Sequence, residues 1–202
     1  MLYQLRTILL FFLLLGMVGC TTVAPPSSSS SQTPKVPWKK REMMLSELNR
    51  WQLSGKIAVQ TSHDSGSASV DWIQNARQYN ISLMGPLGAG AMKLNGANSH
   101  ATLQTADGKQ LTANNAEELL AKGWGFHLPI SHLNYWIRGI PVPGIPYSSQ
   151  FDGAERLSTL SQQGWYIQFQ NYTRVGMLDL PSRLSITSPQ LRAKIVIYQW
   201  RI

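Results

Sequence analysis

From Arg50 to the C-terminus, apolar side chains recur at every second position in one stretch after another. Leu53, Gly55, Ile57 and Val59 fall on one face, as do Ala68, Val70 and Trp72, and then Tyr79, Ile81 and Leu83. A period of two belongs to a β-strand with one face on a core and the other in water. The alternation continues through AMKLN and HATLQT, with an Asp107-Gly108 hairpin turn ahead of KQLTA. It resumes at RLSTL, WYIQFQNY, RLSITS and AKIVIYQW. Short connections between such stretches make an antiparallel meander. About ten to eleven strands result, too many for a flat open sheet, so the sheet is expected to curl toward a barrel.

The remaining segments predict helices. Trp38 to Asn49 carries Trp38, Met44, Leu45 and Leu48 near helical spacing behind Pro37, which suits a helix start. Its basic cluster Lys39, Lys40 and Arg41 is expected on a solvated or lipid-facing side. Asn115 can cap a helix from Ala116 to Lys122 that Gly123 ends, and Ser131 to Arg138 can form another, ended by Gly139. The prolines of IPVPGIPYSSQ, residues 140–150, argue against either regular element there. If the sheet curls, the helices have its concave side or mouth to cover. The expected object is mainly β, with a lid of short helices over an apolar interior.

Residues 8–18 are apolar and broken only by Gly16. This run is shorter than the roughly 20 residues that span a bilayer, and it reads as a signal peptide. It ends in Met17-Val18-Gly19-Cys20, and Cys20 is the only cysteine in the 202 residues. The tetrapeptide resembles the bacterial lipobox, although Met17 stands where leucine is usual. Cleavage before that cysteine leaves it carrying diacylglycerol and an N-acyl chain. The expected organisation is a signal peptide over 1–19, lipidated Cys20 with a Ser/Pro linker over 20–36, and one domain over 37–202. A single cysteine allows no internal disulfide, so stability rests on the core. Two or three acyl chains hold a protein durably on a membrane. Thr21, where aspartate commonly marks inner-membrane retention, points by the same resemblance to the outer membrane.

Catalytic signatures are weak. His63, His100, His127 and His132 show no zinc spacing, and Gly85 to Gly90 lacks the Lys-Ser/Thr of a phosphate cradle. Ser65-Gly66-Ser67 is no nucleophile elbow. No metal or cofactor is expected. The formal net charge of +8 favours acidic partners or anionic membranes, while dispersed basic residues and the compartment argue against nucleic acid.

Five segments in order carry a resemblance: Trp51-x-Leu53-x-Gly55-x-Ile57-Ala58-Val59, Gly85-Pro86-Leu87-Gly88, Tyr135-Trp136-Ile137-Arg138-Gly139-Ile140-Pro141, Gln163-Gly164-Trp165 and Leu180-Pro181-x-Arg183-Leu184. Together they resemble the LolB family of outer-membrane lipoproteins. The resemblance implies an incomplete, half-open antiparallel β-barrel whose helices cover an apolar cavity. It implies a receptor, not an enzyme, anchored in the outer membrane and facing the periplasm. Such a receptor takes acylated lipoprotein cargo from the periplasmic carrier LolA and inserts it into the inner leaflet. Expected contacts are the carrier, the cargo and outer-membrane phospholipid, and the expected state is a monomer.

Candidate lining residues for the acyl-chain cavity are Trp72, Tyr79, Ile81, Leu83, Trp136, Trp165, Ile167, Phe169, Leu184, Ile186, Ile195 and Ile197. From periodicity alone the same residues read as ordinary core. Leu87, on a loop with Gly85, Pro86 and Gly88, resembles the family's protruding apolar tip, and without that resemblance it reads as a turn residue tucked onto the domain. The rival functions are a periplasmic barrel hydrolase and a binder of a smaller lipid.

Overall fold

The computed structural model describes residues 35–97, 100–124 and 127–202. Cys20 and the expected signal peptide and linker, up to residue 34, lie outside the described residues. Eleven strands form one antiparallel sheet: β1 (Arg50–Thr61), β2 (Ser65–Asn75), β3 (Gln78–Met84), β4 (Met92–Ala97), β5 (His100–Thr105), β6 (Gln110–Ala113), β7 (Tyr147–Phe151), β8 (Leu157–Gln162), β9 (Trp165–Val175), β10 (Leu178–Thr187) and β11 (Leu191–Arg201). Their order is β6-β5-β4-β3-β2-β1-β11-β10-β9-β8-β7, so the barrel is not closed and β6 and β7 are its edges.

Alternation sets which face is buried. In β1, Trp51, Leu53, Gly55, Ile57 and Val59 are buried, and Lys56, Ala58 and Gln60 are exposed. The β1–β11 pairing joins the two halves of the meander, and its register shifts between Ser54 and Gly55. Tyr198 is the extra residue there and turns outward. A Cβ on Gly55 would overlap the Val196 carbonyl oxygen, so only glycine fits this close strand approach.

Three helices accompany the sheet: α1 (Trp38–Ser46), α2 (Ala116–Trp124) and α3 (Ile130–Trp136). Asn115 caps α2 through Oδ1, which accepts from the Glu118 N–H at 2.8 Å. Helix α2 packs on β4, β5 and β6, and α3 reaches the opposite half through Trp136, whose indole lies 6.0 Å from that of Trp165. The two helices therefore bridge the inner side of the unclosed sheet.

Two expectations change. Arg41 is not on a solvated face: it is buried, and its guanidinium donates to Asp179 Oδ2 at 2.9 Å and to the Ala154 carbonyl at 3.3 Å. Burial works to raise the Asp179 carboxyl pKa, but hydrogen bonds from Arg41 and Arg174 outweigh it and hold the group below its ordinary range. Second, residues 140–150 do contain regular structure, because β7 begins at Tyr147, directly after the last proline. As an edge strand, β7 needs partners on one side only.

Candidate functional site

In an antiparallel meander, alternate hairpins gather at one end of the sheet. Here the β1–β2, β3–β4, β8–β9 and β10–β11 connections surround one cavity of about 1140 Å³. Ligand sites for drug-sized molecules run to roughly 300–1,000 Å³, so this space suits a larger or multi-chain apolar guest. Its floor is apolar, made by Ile57, Val59, Ala68, Trp165 and Leu191. Its rim is polar and comes from the turns: Thr61 to Ser67, Gln163, Ser188 and Gln190, with His127 ahead of α3.

The β3–β4 connection supplies one lip of this mouth through Gly85, Ala89 and Gly90. Its backbone closes on itself: Gly85 N–H donates to the Ala89 carbonyl at 3.0 Å, and Ala89 N–H to the Pro86 carbonyl at 3.1 Å. Pro86–Gly88 forms a single 3-10 turn in which Leu87 has φ 55°, a left-handed conformation that disfavours a leucine. Leu87 is fully exposed at 108% and Met84 beside it at 55%. The loop does not tuck its leucine back.

Of the twelve candidate lining residues, ten are buried in one closed core: Trp72, Ile81, Leu83, Trp136, Ile167, Phe169, Leu184, Ile186, Ile195 and Ile197. Tyr79 and Trp165 are half-buried against it, and Trp165 alone of the twelve borders the open cavity. All twelve belong to one apolar body running from the cavity floor to the lid. Tyr79 lies across Gly96, where a Cβ would overlap its ring, and burial followed by the nearby Glu117 charge raises its pKa to about 12.

A buried latch between lid and sheet has no signature in the periodicity. Gln162 Oε1 accepts from the Trp136 indole at 3.0 Å and from the Val142 N–H at 2.9 Å. Its Nε2 donates to the Val142 and Ile145 carbonyls at 3.0 Å each. One amide thus ties α3 and the following segment to β8. Arg138 is also buried and donates to the Leu45 and Leu48 carbonyls, satisfying groups at the end of α1.

The sequence model of a family described as "Outer membrane lipoprotein LolB" matches residues 49–200, the sheet from β1 to β11. The chain belongs to the LolB family. The outer-membrane lipoprotein LolB of Pseudomonas savastanoi pv. phaseolicola is 33% identical over 197 residues, covering 98% of this chain and 96% of its own. That of Pseudomonas aeruginosa is 34% identical over 198 residues, covering 98% and 97%. Among solved structures, a LolA superfamily protein from Nitrosomonas europaea superposes with a TM-score of 0.50 at 8% identity, over 83% of this chain and 94% of that one. A DUF1329 family protein from Desulfovibrio piger gives 0.54 at 6% identity, over 80% and 88%. At these identities the likeness concerns the fold.

The LolB-like segments have structural reasons in this chain. Trp51 packs against Trp72 and Trp200 at 5.2 and 5.4 Å, closing the β2–β1–β11 seam from inside. The Pro181 carbonyl accepts from the Trp200 indole at 2.8 Å. Gln163 and Gly164 both have positive φ, 49° and 78°, as a two-residue hairpin requires, and so deliver Trp165 to the cavity. Among the described residues, no group of three His, Cys, Asp or Glu is placed to hold a metal, and no helix is long and apolar enough to cross a membrane.

Proposed function

We propose that this protein is an outer-membrane-anchored receptor that accepts acylated lipoproteins from a periplasmic carrier of the LolA type and places them in the inner leaflet. The observation that carries this reading is an apolar-floored cavity of about 1140 Å³ opening beside a lip that projects Leu87. A triacylated protein carries on the order of 45 methylenes, and exposing them to water costs about 35 kcal/mol. Each step therefore needs a pocket, and transfer runs downhill when the receiver's pocket is the better one. The acyl chains enter over the Ser- and Gly-rich rim and meet Ile57, Val59, Ala68, Leu191 and Trp165. Deeper entry separates α3 from β8 at the Gln162 latch. Trp136 and the inner faces of β3 and β9 to β11 then become the walls that the chains touch.

Cys20 supplies the lipid anchor in this reading, and the linker up to residue 36 reaches at most about 50 Å from the membrane. Leu87 enters the bilayer while cargo leaves the cavity. The reaction is a partition and uses no cofactor. The test mixes residues 35–202 with a carrier preloaded with a triacylated lipoprotein, followed by pull-down and immunoblotting. Cargo should move to this domain without nucleotide. Cargo that stays on a competent carrier removes the receptor reading and leaves a binder of a smaller lipid or a periplasmic barrel hydrolase.

A further inference from the structure

The exterior of the sheet is not uniformly polar. Lys56 on β1, Arg183 on β10, and Arg192 and Lys194 on β11 all point outward and are exposed. The strand register makes them neighbours. Val196 pairs with Lys56 on one side and Arg183 on the other, and Lys194 and Arg192 follow on the same face of β11 toward the cavity end. None of the four has an ion-pair partner, although all ten acidic residues of the chain lie among the described residues. Asp71 on β2 is the one acid at the border of this face, and it pairs across with Ser54. Four cations on three adjacent strands, with the single carboxylate of Asp71 at their border, leave an excess of positive charge, so the patch is suited to an anion that the chain itself does not provide.

The same lateral row continues through Ser69 to Met84, which is exposed and directly precedes the loop bearing Leu87. At about 4.8 Å per strand, Met84 lies about 10 Å from Lys56 and about 20 Å from Arg183. The cations and Met84 share the outer face of the sheet along this row, and Met84 leads directly into the loop that exposes Leu87. Cations flanking exposed aliphatic residues are the pattern of a surface resting at a lipid interface. A protein partner would be better served by an apolar centre with few lysines.

We propose that the exterior face of β1, β10 and β11 is a docking surface for anionic phospholipid, laying the domain sideways on the bilayer so that Met84 and Leu87 reach the lipid together. The basic patch stands on its own geometry, and the part played by Leu87 rests on the function proposed above. The test uses the unlipidated domain, residues 35–202, which contains the whole described core. Binding to phosphatidylcholine vesicles with and without phosphatidylglycerol is measured by co-sedimentation at low and high salt. Lys56→Gln, Arg183→Gln, Arg192→Gln and Lys194→Gln are combined, with a Lys39→Gln, Lys40→Gln and Lys109→Gln control and melting curves to establish folding.

The wild-type domain should bind phosphatidylglycerol vesicles in a salt-sensitive way. The combined variant should weaken binding about fivefold for each charge removed, and the control should weaken it little. Equal binding by wild type and combined variant would overturn the proposal, as would a control that loses as much. A combined variant that keeps vesicle binding but no longer binds an acidic carrier would assign the face to a protein instead. Cargo acceptance in solution, without vesicles, reads the receptor function separately; a domain that accepts no cargo yet docks through these cations leaves this inference standing.

Discussion

Leu87→Glu separates what the lip does from what the fold needs. Leu87 is fully exposed, so its removal should change stability by no more than about 0.5 kcal/mol. Its left-handed backbone costs a non-glycine residue about 1–2 kcal/mol, so the leucine sits there against the local preference. Entering lipid returns roughly 1.5–3 kcal/mol for one leucine, which corresponds to about a ten- to 150-fold effect on a step that depends on it. The assay loads the domain with labelled cargo, adds vesicles and follows insertion, with uptake from the carrier measured in parallel. Uptake should be unchanged and insertion slowed by that factor. Leu87→Gly, which relaxes the backbone, should also insert slowly, whereas Leu87→Met should be close to wild type. Wild-type insertion by Leu87→Glu would refute the argument, and so would a glycine variant faster than leucine.

Other consequences follow from buried contacts. Asp179→Ala leaves Arg41 buried without its partner and should cost about 3–5 kcal/mol at neutral pH, read as a lower urea midpoint. The folded pKa of Asp179 lies below its ordinary 3.8, so its contribution is complete above that value and is lost as pH falls through the lower, folded pKa; the gap between wild type and variant should close over that acid range. Gly55→Ala forces a Cβ into the Val196 carbonyl at the β1–β11 seam and should destabilise by about 3 kcal/mol or more, because backbone rather than a side chain must yield. Gln162→Leu strips partners from Trp136 and from residues 142 and 145, and it should speed hydrogen exchange across α3 before it lowers the melting temperature greatly.

The sheet was legible because half-burial writes a period of two, which β1, β2, β3, β5 and most of β11 obey closely, whereas β8 and β10 depart from it beside register shifts, with Leu157 and Leu160 buried three apart and Asp179 to Pro181 buried in succession. Strand β7 was not, since YSSQF is exposed at an edge and follows three prolines. Arg41 looked solvated within Lys39-Lys40-Arg41 because its partner Asp179 lies 138 positions away. The inward faces of the candidate lining residues were readable, and the position of the open space was not. That space is made where four hairpin turns meet, which depends on the pairing of β1 with β11 and on strand parity. Gln162 is an ordinary polar residue in an alternating strand, and its latch exists only because α3 folds back over β8.

Acyl chains that enter the cavity ringed by those turns must lie against its apolar floor. The direct measurement loads the domain with a lipoprotein whose acyl chains carry a photoreactive group, then maps the cross-linked peptides by mass spectrometry. Adducts are expected on the β1–β2 hairpin near Ile57 to Ala68, at Trp165 and at Leu191, extending to Trp136 as the lid yields. Adducts confined to the exterior faces of the sheet, or none on a domain that has taken up cargo, would contradict entry into this cavity.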